Sequence, residues 1–177
     1  MHGPVQTQRS LSSSLVKVIR HPRIVAATRP PERSGHLGVL MPRILVVDDD
    51  WLVCSAIRTW IETAGYEVVI ADGAESGLNA LDKYSFDLMI VDIFMPHMRG
   101  FESVRVFHQR APHVPLVAIS GYVFAEQRMP APDFLQMALK LGATRCLRKP
   151  FTPTTLLSLI KACLTESETS MIEAIVR

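Results

Sequence analysis

From Pro42 onward the chain alternates short β-rich runs with segments of helical periodicity, and the alternation repeats five times. No other feature constrains the fold as much, because strands separated by helices pair in parallel and carry helices on both faces of the sheet. The strand segments are Ile44–Val47, Glu67–Ala71, Leu88–Val91, Leu116–Ile119 and Arg145–Leu147. The first, third and fourth are nearly all apolar, as expected of strands buried on both sides. Leu52, Val53, Ala56, Ile57, Trp60 and Ile61 then recur at helical spacing up to Gly65, a residue suited to the left-handed position after a helix. Further helices are expected from Ala74 to Lys83, burying Leu78 and Leu81, and from Gly100 to Arg110, burying Phe101, Val104 and Phe107. A fourth runs from Asp133 to Leu141 and stops at Gly142. The fifth opens on Thr152-Pro153, a capping hydroxyl followed by proline at the first helical position, and continues through Leu156, Leu159, Ile160 and Cys163. The expected fold is α/β, a doubly wound five-stranded parallel sheet of flavodoxin-like (βα)5 type with strand order 2-1-3-4-5.

The flanks read differently. Residues 1–41 mix Ser, Arg and Pro without a sustained period and are expected to form a disordered basic leader. The domain itself is expected over 42–164, followed by a short C-terminal tail, 165–177, too short for an effector domain. A single domain standing alone is the resulting expectation. The net charge of +2 conceals an asymmetry: residues 1–42 hold six Lys/Arg and one acid, 6 − 1 = +5, and the remainder holds 13 basic and 16 acidic residues, or −3. A basic-patch argument for direct nucleic-acid binding therefore fails for the domain. No apolar run approaches the ~20 residues needed to span a bilayer. Cys54, Cys146 and Cys163 stand in no disulfide or metal-ligand spacing, which fits a reducing, cytoplasmic setting.

In an open α/β sheet, ligands bind beyond the carboxyl ends of the strands. Those ends carry Asp48-Asp49-Asp50, Asp92, Ser120 and Arg148-Lys149. Three consecutive aspartates raise one another's pKa unless a cation neutralises them, and Mg2+ is the hard cation that suits such oxygens. Asp50 doubles as an N-cap for the first helix. Asp92 taken alone could start a turn before Met95-Pro96. Beside a divalent cation, however, an ionised carboxylate is a competent nucleophile for phosphorus. Lys149 would then offer positive charge to phosphoryl oxygens, and Ser120 a hydroxyl donor.

Val46-Val47-Asp48-Asp49, Val91-Asp92-Ile93-Phe94-Met95-Pro96 with Met98-Arg99-Gly100, Ile119-Ser120-Gly121 and Leu147-Arg148-Lys149-Pro150-Phe151 follow one another in this order. Together they resemble the receiver domains of two-component response regulators, over roughly residues 42–164. The resemblance implies that Asp92 accepts a phosphoryl group from a histidine kinase or histidine phosphotransfer protein, or from a small donor such as acetyl phosphate. It implies that Asp49 binds Mg2+ directly and Asp48 mainly through water, with Asp92 and the backbone carbonyl of Phe94 completing the protein ligands. Ser120 would swing toward the phosphoryl group, Lys149 would bind one of its oxygens, and the Lys149–Pro150 bond would be cis. Such a protein is a signalling phosphoacceptor rather than an enzyme with turnover. It would act on a downstream protein target, unknown from the sequence, and in some relatives it forms a homodimer on phosphorylation.

Two other readings compete. One is a receiver-like binding module that works without phosphorylation. The other is a phosphatase of the haloacid-dehalogenase kind built on Asp48-x-Asp50, which Leu52 disfavours because it stands where that motif requires Thr. The chain departs from the resemblance at Cys146, where receivers carry an aromatic residue, so switching is expected through the loop after the fourth strand instead. That loop, Tyr122 to Pro132, is longer than usual for such domains. Tyr122 and Phe94, two residues beyond Ser120 and Asp92, are expected to shield an acyl phosphate from water.

Overall fold

The computed structural model describes residues 41–98, 101–121 and 131–176. The leader up to residue 40 lies outside them, as do Arg99, Gly100 and Tyr122 with most of its loop. The elements alternate as β1 (Arg43–Val47), α1 (Trp51–Thr63), β2 (Glu67–Ala71), α2 (Ala74–Lys83), β3 (Leu88–Asp92), α3 (Glu102–Arg110), β4 (Leu116–Ser120), α4 (Ala131–Lys140), β5 (Arg145–Arg148) and α5 (Pro153–Val176). All four strand pairings are parallel, and the order across the sheet is β2-β1-β3-β4-β5.

Side chains alternate across each strand, so neighbouring residues serve different cores. Ile44, Val46, Leu88, Ile90, Val117 and Ile119 face Ile57 and Ile61 of α1 and Leu156, Ile160 and Cys163 of α5. Leu45, Val47, Met89, Val91, Leu116 and Ala118 face the other way, onto Ala80, Val104, Phe107 and Ala138 of α2, α3 and α4. Every residue of the interior strands β1, β3 and β4 is buried, whereas the edge strands β2 and β5 are only partly so.

Local chemistry sets the helix ends. The Asp50 carboxylate accepts from the backbone N–H groups of Leu52 and Val53 at the start of α1, and Gly65 follows that helix at φ +87°. Gly142 closes α4 at φ +108°. The Thr152 hydroxyl caps α5, accepting from the Thr155 N–H at 3.2 Å.

Some expectations need correction. Leu52 lies on the solvent side of α1, 62% exposed, and Cys54 joins Ile57 and Ile61 as the buried residues. The residues that α2 buries most are Gly77 and Ala80, with Leu78 and Leu81 half-buried beside them. Helix α4 begins at Ala131, two residues earlier than expected, and takes Ala131 and Pro132 out of the preceding loop. The stretch from Thr165 is not a separate tail: α5 continues through it to Val176. It contains neither Gly nor Pro, so nothing in it ends the helix.

Gly77 lets α2 lie tightly against the sheet and α3. A Cβ there would stand 2.7 Å from Phe107 Cζ and 2.9 Å from Val47 Cγ2, both atoms of fully buried side chains. Gly77→Ala is expected to lower stability by up to about 2 kcal/mol, because an overpacking cost of about 1–3 kcal/mol is set against the ~1 kcal/mol of helix propensity gained. Urea unfolding checks this, and an unchanged midpoint would show that the Phe107 ring yields freely.

Candidate functional site

The register of the sheet brings the polar strand ends to one rim. Asp48 directly follows β1, and its N–H donates to the Ala71 carbonyl of β2 at 3.2 Å. Asp92 closes β3 opposite Ile119, and the Ile93 N–H extends that ladder by donating to the Ile119 carbonyl at 2.9 Å. Ser120 closes β4 opposite Arg148, and the Lys149 N–H donates to the Ser120 carbonyl at 2.8 Å. Each functional side chain thus sits within one residue of a paired position, which fixes its direction.

The centre of the rim is a three-part ionic cluster. The Lys149 ammonium donates to Asp48 Oδ2 at 2.6 Å and to Asp92 Oδ2 at 3.0 Å. The Asp48 side chain is fully buried and that of Asp92 nearly so, whereas Asp49 is exposed. The remaining oxygens also have donors: Asp48 Oδ1 accepts from the Asp50 N–H at 3.0 Å, and Asp92 Oδ1 from the Phe94 N–H at 3.2 Å. Carboxylate oxygens of Asp48, Asp49 and Asp92 all lie within 4.8 Å of one another. Such a set of hard, anionic oxygens fits a divalent cation of the Mg2+ type.

Burial and charge compete in this cluster. Desolvation pushes the Asp48 carboxyl above its usual range, against the hydrogen bond and charge of Lys149 and the Asp50 N–H. For Lys149, burial acts to lower the pKa, but Asp48 and then Asp92 outweigh it and hold the ammonium above its ordinary value. Below them, the Cys54 thiol donates to the Asp48 carbonyl at 3.3 Å. Burial, with the nearby Asp48 charge, pushes that thiol up to about 12 and leaves it protonated and unreactive at neutral pH.

The loop after β3 is a tight turn. The Met98 N–H donates to the Met95 carbonyl at 3.2 Å, Pro96 takes the second position and His97 the third at φ +66°, the pattern of a type II turn. On the far side, the Lys149–Pro150 peptide is cis, as expected. Beside it an apolar groove of about 360 Å3 runs between Val53, Ala56 and Trp60 of α1 and Pro150 and Phe151, with Trp60 and Phe151 edge to face at 6.2 Å.

Comparison with known proteins agrees with this geometry. The family model described as the response regulator receiver domain matches residues 44–161. This chain belongs to the response regulator receiver domain family. Among curated receivers, the response regulator protein FleR of Pseudomonas aeruginosa is 32% identical over 118 residues, which cover 67% of this chain and 24% of FleR. The transcriptional regulatory protein CpxR of Escherichia coli is 31% identical over 130 residues, covering 73% of this chain and 52% of CpxR. The chain therefore spans about half or less of the length of these relatives. A CheY-like receiver domain protein from Methanospirillum hungatei superimposes with a TM-score of 0.66 at 32% identity, over 73% of this chain and 98% of the other.

In this receiver the structure brings together Asp48, Asp49, Asp92 and Lys149, and puts Ser120, itself buried, one strand away. Phe94 is half-buried and packs against the α2–α3 side of the core. Cys146 is half-buried on that same side. Tyr122 lies outside the described residues. Two contacts were not anticipated: the Cys54 thiol on the Asp48 carbonyl, and the fully buried Ser103 hydroxyl of α3 on the Ile93 carbonyl at 3.2 Å. The helical stripe through Val104 and Phe107 includes position 103, so a serine there was the available signal. Among the described residues, no helix is long and apolar enough to cross a membrane.

Proposed function

We propose that this receiver accepts a phosphoryl group on Asp92 from the phosphohistidine of a histidine kinase or histidine phosphotransfer protein, in a Mg2+-dependent reaction, and signals by binding a partner protein in the phosphorylated form. The observation that carries this reading is the Lys149 ammonium joining Asp48 Oδ2 and Asp92 Oδ2 beside three carboxylates within 4.8 Å. A buried carboxylate oriented by two donors and adjacent to a cation site has the properties of a phosphorus nucleophile.

Asp48, Asp49, Asp92 and the Phe94 carbonyl would hold the Mg2+, which when bound neutralises charge on the transferring phosphoryl oxygens. An Asp92 oxygen forms the new bond to phosphorus as the bond from phosphorus to the donor nitrogen breaks, its electron pair returning to the imidazole. Lys149, held by the β4–β5 ladder, then follows the phosphoryl oxygens, and the Ser120 hydroxyl donates to another. The acyl phosphate ends by hydrolysis or by passing its phosphoryl group to a histidine of a phosphorelay partner, and while it lasts the domain signals through its phosphorylated form. A cytoplasmic setting supplies both the donor proteins and the reducing conditions that three free thiols require.

Labelling of the purified protein with a small phosphodonor in the presence and absence of Mg2+ tests the reading, and an equal result without Mg2+ or without Asp92 sinks it. Phe94, beside Asp92, is proposed to exclude water from the acyl phosphate. Phe94→Asn is expected to shorten its lifetime several-fold, and identical decay curves for the two proteins would remove Phe94 from that role.

A further inference from the structure

Ser103 is a hydroxyl in an unexpected place. It lies in the first turn of α3, next in sequence to the fully buried Val104, and is itself 0% exposed. A buried hydroxyl without a partner is destabilising, so its acceptor is informative. That acceptor is the Ile93 carbonyl, 3.2 Å away and ten residues back in the chain. The Ile93 carbonyl and the Phe94 N–H belong to one planar peptide unit, so fixing the first fixes the direction of the second. The Phe94 N–H is the group that donates to Asp92 Oδ1 at 3.2 Å.

We propose that Ser103 is a positioning residue for phosphoryl capture: its hydroxyl clamps the Ile93–Phe94 peptide, and the clamped N–H holds the Asp92 carboxylate in the plane that presents Oδ2 to Lys149. The inference rests on the phosphoacceptor reading above. The parts are independent of one another in the fold. The Ile93 N–H is tied to β4 through Ile119, Oδ2 is tied to β5 through Lys149, and Ser103 brings α3 into the arrangement. Asp92 is thereby oriented from three sides. Loss of the α3 tie frees the peptide to rotate, and a carboxylate that samples other orientations spends less time in the one competent for attack.

The test uses the full chain, with phosphoramidate as donor and Mg2+ at saturation, and compares wild type with Ser103→Ala, Ser103→Thr and Ser103→Cys. Ser103→Ala is expected to slow labelling of Asp92 about five- to tenfold, the rate equivalent of one ordinary hydrogen bond. It is also expected to shift the Phe94 amide resonance upfield and speed its exchange with solvent. Ser103→Thr keeps the hydroxyl and should restore both readouts, with Ser103→Cys, a weaker donor of similar size, falling between. A Ser103→Ala protein that labels at the wild-type rate overturns the inference even if its unfolding midpoint falls, because a purely structural role would move only the midpoint. An unmoved Phe94 amide overturns it equally. A wild type that takes no label is a different result: it removes the phosphoacceptor reading itself, and is visible before any variant is made.

Discussion

Asp92→Asn is expected to take no phosphoryl label under conditions in which the wild type becomes labelled. Asparagine keeps the size of the side chain and an oxygen that can accept from the Phe94 N–H, but its amide is not a nucleophile for phosphorus. The fold should survive the change. Asp92 raises the cost of charging Asp48, so removing its charge relieves part of that burden, and Lys149 keeps Asp48 as its partner at 2.6 Å. Stability is therefore expected to stay within about 1 kcal/mol of wild type, and the lost label can be assigned to chemistry rather than to unfolding. Hydroxylamine, which cleaves acyl phosphates, should release the wild-type label. A hydroxylamine-sensitive label persisting in Asp92→Asn would place the acceptor elsewhere and overturn the proposed function.

The second large effect belongs to Lys149. Its ammonium is the cation between the side chains of Asp48 and Asp92, which are 0% and 9% exposed. Lys149→Ala leaves two nearly buried carboxylates facing each other, and removing one member of such a pair costs about 3 kcal/mol. The expected phenotype is a lower urea midpoint in the absence of divalent cations. Mg2+ should then stabilise Lys149→Ala more than it stabilises the wild type, since it becomes the remaining positive charge for those oxygens. Labelling of Asp92 should fall by about two orders of magnitude, the scale of losing one charged group that meets developing negative charge. Lys149→Arg tells the two effects apart, because it keeps the charge but not the compact ammonium; it should recover stability more than rate. An unchanged midpoint for Lys149→Ala without Mg2+ would show that the ion pairs contribute nothing to the fold.

Much of this was legible because the fold and the site obey the same rule. Continuous apolar runs such as Ile44–Val47 and Leu88–Val91, set between helical segments, read as interior parallel strands, and the polar residue that ends each then falls on the rim. Asp48, Asp92, Ser120 and Lys149 could therefore be placed together without coordinates. What the sequence does not carry is the identity of long-range partners. Leu52 fits the helical stripe of α1 yet faces solvent, because the stripe's centre falls on Cys54, Ile57 and Ile61. Gly77 shows no sequence sign of the Phe107 ring against it, a residue thirty positions away. The length of α5 was missed for the opposite reason: the apolar spacing that announced the helix ends at Cys163, but no residue after it stops the backbone. The contacts of Ser103 and Cys54 are not legible in the sequence because small polar side chains acquire meaning only from the carbonyl they reach.

The sheet also delivers its charges unequally. Asp48 and Asp92 extend from β1 and β3, whose residues are all buried, whereas Lys149 extends from β5, the four-residue edge strand whose end residues are exposed. Strands at an edge with few buried side chains open at lower free energy than interior ones. A fluctuation that loosens β5 withdraws the lysine and leaves the anionic half of the site assembled. Anything anionic on Asp92 that engages Lys149 works against that opening, so the occupancy of the rim is written into the stiffness of one outer strand.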